Sequence, residues 1–217
     1  MVMGFIEQQA SAWTQIVDMM IEQPTNVLIN GSMNGPAANM AGSANVRHEL
    51  PFLLREYKIT SMLDVPCGDL SWIRHTDLRS LYVYIGVDVD RRLIDEARRA
   101  CPMGGFICAN ILTREKLPVV DLILCRDFLM CLPDEHLQSV IEKFKCSAAA
   151  YLLASNYPGS SNTFDYHPEQ FPILGYLERP YDLTAPPFNL EQIDGIIENQ
   201  ASAGLVSKPH ELALFKI

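Results

Sequence analysis

The sequence predicts an α/β fold, with a mostly parallel sheet closed by a C-terminal antiparallel hairpin, on three observations. Short apolar runs suited to buried parallel strands stand at 61–66, 82–88, 105–109, 119–125 and 149–155. Segments of helical character near 70–79, 91–100 and 134–145 lie between them, as parallel strands need crossovers. Near the end, IDGIIEN and HELALFKI read as two more strands, and their short connection favours a hairpin over another crossover.

Ahead of the sheet, Ile6, Trp13, Ile16, Val17, Met20 and Ile21 recur at helical spacing and stop before Pro24. They predict an amphipathic first helix that caps the domain or meets a partner, including a second copy of the chain. Glu7, Asp18 and Glu22, with no basic residue, argue against a lipid surface as that partner. A Ser/Asn/Gly-rich stretch at 29–45 reads as a functional loop. Val46, Leu50, Leu53, Leu54 and Tyr57 predict a second helix that Pro51 kinks or delays. No linker separates two periodic halves, so residues 1–217 read as a single domain. Its parts are a helical cap with the loop (1–60), a ligand-binding core (61–155), an acceptor lid or loop (156–190) and the hairpin (191–217). The lid stretch carries Tyr157, Phe164, Tyr166, Phe171, Tyr176, Tyr181 and Phe188, and a loop this long is usually functional.

The segment SMLDVPCGDLSWI (61–73) is where ligand chemistry should sit. Met62, Leu63 and Val65 suit a strand, Pro66 cannot continue a ladder, and Gly68 permits a close or left-handed backbone. Twenty residues after Gly68, the second strand ends in Asp88-Val89-Asp90, the spacing at which a carboxylate accepts ribose hydroxyls. The glycine pattern G-x-G-x-x-G of dinucleotide sites is absent, and Asp69 stands where phosphates would lie, which disfavours an NAD(P)-dependent reductase. A cationic adenosine ligand tolerates Asp69 better. S-adenosyl-L-methionine (SAM) offers a ribose for Asp88, a sulfonium and an ammonium for carboxylates, and no phosphate.

LDVPCGDLSW, YIGVDVD and LILCRDFLMCLP, in this order and spacing, resemble the class I SAM-dependent methyltransferases, in particular a subgroup whose first motif reads D-x-P-C-G-D-x-x-W. The resemblance extends to GSMNGPAANMAGSANVRHELPFLL and ERPYDLTAPPFNL, and so over residues 30–217. It implies a Rossmann-like sheet and SAM as cofactor. It carries cofactor-contact roles to Asp64, Cys67, Gly68, Asp69, Trp72, Asp88, Val89, Asn110, Ile111 and Arg126. Arg47, on the helix after the Ser/Asn/Gly loop, is a candidate partner of the cofactor carboxylate, against an ordinary exposed helix arginine. Cys131 stands where the subgroup commonly has His, and Asn110 where it has Asp. The side-chain carbonyl of Asn110 can still accept from an adenine amino group.

Asp127 is the candidate catalytic or acceptor-orienting residue of the core, because Arg126-Asp127 interrupts an apolar segment with two charges. Its competing role is an ion pair that steadies the loop. His167, on the aromatic loop, is the candidate base, against a solvated loop histidine. For Asp64 and Asp69 the competing role is capping of the turn, and for Trp72 it is core packing.

Composition narrows the function classes. Lys and Arg total 17 against 26 Asp and Glu, a net charge of -9 that repels polyanions and argues against nucleic acid as substrate. The six cysteines form no C-x-x-C pair, so neither a zinc site nor a disulfide framework is indicated, and free thiols in a reducing cytoplasm fit best. The first residues lack the pattern of a signal peptide, and no apolar window is long enough to span a membrane. The expected activity is methyl transfer to a small-molecule or glycan hydroxyl. The different-class alternative is a catalytically silent SAM-binding module that regulates or scaffolds a partner.

Overall fold

The computed structural model describes residues 40–114, 116–132, 134–162, 180–198 and 211–217. The predicted first helix, most of the Ser/Asn/Gly loop, and His167 with most of the aromatic loop lie outside these residues. The described elements are α1 (Ala44–Glu56), β1 (Ser61–Asp64), β2 (Val83–Asp88), α2 (Arg91–Ala100), β3 (Gly105–Cys108), β4 (Leu122–Cys125), α3 (Asp134–Lys145), β5 (Tyr151–Asn156), β6 (Glu191–Ile197) and β7 (Glu211–Lys216).

The seven strands form one sheet in the order β3-β2-β1-β4-β5-β7-β6. The first five pair in parallel, and β7 runs antiparallel to both β5 and β6. Two reversals restore direction, so β6 ends at the same edge as β1, β2, β4 and β5. The predicted mostly parallel sheet with its closing hairpin is therefore observed.

Side chains alternate between the two faces, as a strand period of two requires. Met62, Leu122, Leu124, Leu153, Leu212 and Leu214 pack with Val46, Leu50 and Leu54 of α1 and Ile94 and Ala97 of α2. Leu63, Ile123, Cys125, Leu152, Ala154, Ala213 and Phe215 pack on the other face with Leu137, Val140, Ile141 and Phe144 of α3. Tyr181, Leu183, Phe188 and Leu190, from the stretch before β6, complete that second face. Each Val, Leu, Ile, Met or Phe among them, fully buried, contributes about 1.5 to 3 kcal/mol, and both faces of the sheet carry such residues.

Three boundaries differ from expectation. α1 continues through Pro51 to Glu56, its buried stripe of Val46, Leu50, Leu53 and Leu54 holding the helix across the proline. β4 starts at Leu122 rather than 119, since Pro118 has no N–H for a ladder and Val119 is exposed. The helix expected near 70–79 is only a 3₁₀ turn at Ile73–His75. Gly68 and Leu70 both adopt positive φ (58° and 60°), and the buried residues Leu70, Trp72 and Ile73 do not follow a helical stripe. Asp69 and Asp77 accept from the backbone N–H groups of Ser71 and Arg79, so the segment is a chain of aspartate-capped turns.

Candidate functional site

Buried polar and charged side chains gather where β1, β2, β4, β5 and β6 end together. The turn after β1 is held from two sides: the Val65 N–H donates to the Leu124 carbonyl and the Cys67 N–H to that of Val87. Gly68, in left-handed conformation, points its N–H at Asp88 Oδ2 at 3.0 Å. Asp88 Oδ1 accepts from the Asp90 N–H at 2.9 Å, and Asp90 in turn caps α2 through the Arg92 N–H. Asp88 is thus buried and oriented by backbone donors, and each carboxylate oxygen has a further lone pair for a ligand hydroxyl. Burial raises its pKa, which the N–H groups of Asp90 and Gly68 oppose.

Asp64, which ends β1, is the second buried carboxyl. Its Oδ2 accepts the Tyr84 hydroxyl at 2.5 Å, a diagonal contact between β1 and β2. Burial pushes its pKa up to about 7, against the Tyr84 hydrogen bond, while Asp88 adds to the rise and Arg126 opposes it. Cys67 is buried beside this pair, and its thiol is pushed well up by burial and then by Asp64 and Asp88, so it is inert rather than nucleophilic. Gly86 makes room for it, because a Cβ there would meet Cys67 Sγ and the Phe106 ring at 2.8 Å.

Arg126 follows β4 and is buried, its Nε donating to Glu198 Oε1 at 2.6 Å and its Nη1 lying 3.6 Å from Asp127 Oδ2. The guanidinium stands 5.2 Å above the Trp72 ring. Burial works against its charge, but Asp127 and Glu198 outweigh burial and raise its pKa. Asp127 adopts φ +55°, an uncommon conformation outside glycine. Its N–H donates to Ser155 Oγ at 2.9 Å and the Ser155 hydroxyl donates back to Asp127 Oδ1 at 3.1 Å. This two-point clamp fixes a carboxylate whose side chain stays 27% exposed at the edge.

After β3, Asn110 Oδ1 accepts from the Leu112 N–H at 2.9 Å, and Lys143 Nζ of α3 donates to the Ile111 and Leu112 carbonyls at 2.5 and 3.0 Å. Ile111 is buried and Val89 exposed at the tip of β2. The structure thus gathers Asp64, Cys67, Gly68, Asp69, Trp72, Asp88, Val89, Asn110, Ile111, Arg126 and Asp127 on the turns along one sheet edge. Arg47, on α1, donates from Nη2 to the Met40 carbonyl and from Nε to Ser43 Oγ. His167 lies outside the described residues.

Sequence reasoning missed Tyr84, Ser155 and Glu198. Glu198 had a signal, an acid closing the strand IDGIIE as Asp64 and Asp88 close theirs. Tyr84 and Ser155 had none, since their roles come from strand pairing.

No protein-family model matches the chain, and no curated protein matches it in sequence. Solved structures do match in shape. The N-methyltransferase NodS from Bradyrhizobium japonicum, in complex with S-adenosyl-L-homocysteine, is 14% identical with a TM-score of 0.57, over 94% of this chain and 96% of that one. The magnesium protoporphyrin IX methyltransferase ChlM from Synechocystis, with bound SAM, is 12% identical with a TM-score of 0.55 over the same shares of 94% and 96%. The methyltransferase domain of a bacterial Hen1 protein is 12% identical with a TM-score of 0.57, over 81% of this chain and 99% of that one. The class defined at this identity is one of fold: the chain has the Rossmann-like sheet of the class I methyltransferases.

Proposed function

We propose that this chain is a SAM-dependent methyltransferase acting on a small-molecule or glycan hydroxyl in the cytoplasm. The observation that carries the reading is the Gly68–Asp88 unit on a methyltransferase sheet, with turns rather than a helix following it. A pyrophosphate needs a helix N-terminus behind the glycine turn, and none stands there. The acids that do stand there, Asp64, Asp69 and Asp88, suit a ribose and a cation.

SAM, when bound, supplies a methyl group on a sulfonium, open to in-line displacement. The residues that would hold it are Gly68 and Asp88 at the ribose, Asn110 and Ile111 at the adenine edge, and Asp64 and Arg126 beside the methionine end. Asp127, clamped by Ser155, orients the acceptor or takes its proton, as His167 would if the 156–190 stretch encloses the acceptor. Positioning by such a site supplies most of the acceleration, with general base action adding about 10²- to 10⁴-fold.

Incubation with labelled SAM and acceptor panels tests this reading. Methylated product with release of S-adenosylhomocysteine supports it. Binding without turnover on any panel identifies the silent module instead, and a stability shift with NADPH but not SAM overturns both.

A further inference from the structure

Asp64 is buried among charges of both signs. Tyr84 and Asp88 face it from β2, Cys67 from the turn, and Arg126 from the end of β4. Arg126 acts on it through charge while its Nε is committed to Glu198 and its Nη1 lies beside Asp127. The direct partner of the Asp64 carboxyl is the neutral Tyr84 hydroxyl at 2.5 Å. A buried carboxyl whose direct partner is a neutral donor holds its proton to higher pH than a solvated one, and a cation placed beside it favours the carboxylate.

The strand order says which cation that is. With the ribose on Asp88 of β2 and the adenine beside Asn110 after β3, the rest of the ligand must run the other way, over β1 toward β4. Asp64 and Arg126 stand there, an acid and a base fitted to the ammonium and carboxylate of an α-amino acid.

We propose that Tyr84 is a positioning residue, holding Asp64 so that the carboxyl gives up a proton to solvent when the amino-acid end of the cofactor binds and then faces its ammonium as a carboxylate. The inference rests on the cofactor reading above. Only the Asp64 O–H bond breaks: the proton leaves to buffer, and the ligand is chemically unchanged.

Calorimetric titration of S-adenosylhomocysteine at pH 6, 7 and 8, in buffers of different ionisation enthalpy, tests it. 5′-Methylthioadenosine, which lacks the amino-acid end, is the comparison ligand. Binding of S-adenosylhomocysteine should release about 0.9 proton more than the comparison ligand at pH 6, falling to about 0.1 at pH 8. Its affinity should rise about tenfold over that range, with the comparison ligand showing little of this rise. Asp64→Asn should abolish the difference between the ligands. Tyr84→Phe removes a donor to the carboxylate, so it should move the affinity profile to higher pH without a matching change for 5′-methylthioadenosine. Equal proton release by the two ligands, or an unshifted profile in folded Tyr84→Phe, overturns the proposal and leaves the cofactor reading standing. Should Tyr84→Phe not fold, an undiminished difference in Asp64→Asn overturns it. Failure of wild-type protein to bind S-adenosylhomocysteine at any pH overturns both.

Discussion

The Gly68 N–H donates to Asp88 Oδ2 at 3.0 Å, tying the turn after β1 to the tip of β2. The spacing of twenty residues that suggested an adenosine site is thus a direct contact, and Asp88 does two jobs at once. It shapes the turn and it offers lone pairs to a ribose.

Asp88→Ala should therefore lower both affinity and stability. Each charge-assisted ribose bond lost costs about 1.5 to 3 kcal/mol of SAM binding, and the stranded Gly68 N–H costs about 1 to 3 kcal/mol of folding free energy. Calorimetry and urea denaturation measure the two. A variant as stable as the parent would show that the Gly68 contact adds nothing to the fold.

Arg126 and Glu198 form a buried pair, their side chains 5% and 0% exposed. Removing Arg126 leaves the Glu198 carboxylate buried without its cation, whereas removing Glu198 leaves Asp127 still beside Arg126. Arg126→Met alone should cost about 3 to 5 kcal/mol, Glu198→Leu less, and the double variant should recover most of the Arg126→Met loss. Additive single losses in denaturant unfolding would argue that the two charges are not coupled.

Asp64 predicts a pH dependence of stability. Its folded-state pKa of about 7 exceeds the unfolded value, so between the two the folded protein holds more protons. Its contribution is full below about pH 4 and is lost as pH rises through 7. Asp64→Asn keeps an oxygen for the Tyr84 hydroxyl and does not titrate. Between pH 5 and pH 8 the parent should lose about 2 to 3 kcal/mol relative to this variant. A constant difference in urea denaturation across that range would place the Asp64 titration elsewhere.

Asp127 separates acceptor chemistry from cofactor binding. Asp127→Ala should reduce methyl transfer by roughly 10²-fold or more while S-adenosylhomocysteine affinity changes little. Ser155→Ala, which removes the clamp, should show a smaller loss of the same kind and about 1 kcal/mol of stability. Turnover unaffected by either substitution would leave Asp127 with a structural role beside Arg126 and Ser155.

What the sequence made legible follows from local rules. Short apolar runs located all seven strands, and the acids at strand ends located the edge where Asp64 and Asp88 stand. The helix expected at 70–79 was not legible as turns, because positive φ at Leu70 is set by packing of the buried turn rather than by its residue type. Arg47 resembles a cofactor ligand in sequence, and the structure shows its Nε and Nη2 donating to Ser43 and Met40. Tyr84, Ser155 and Glu198 reach the site through pairings between strands or over 72 residues of chain, and such partners leave little local pattern.

The most direct test of the account is calorimetric titration of the full chain with S-adenosylhomocysteine and, separately, NADPH. The account predicts one S-adenosylhomocysteine site, no NADPH site, and loss of affinity in Asp88→Ala. It also predicts ligand stabilisation of about 2.7 kcal/mol at a hundred times the dissociation constant. Binding of NADPH in place of S-adenosylhomocysteine, or an affinity indifferent to Asp88, would contradict it.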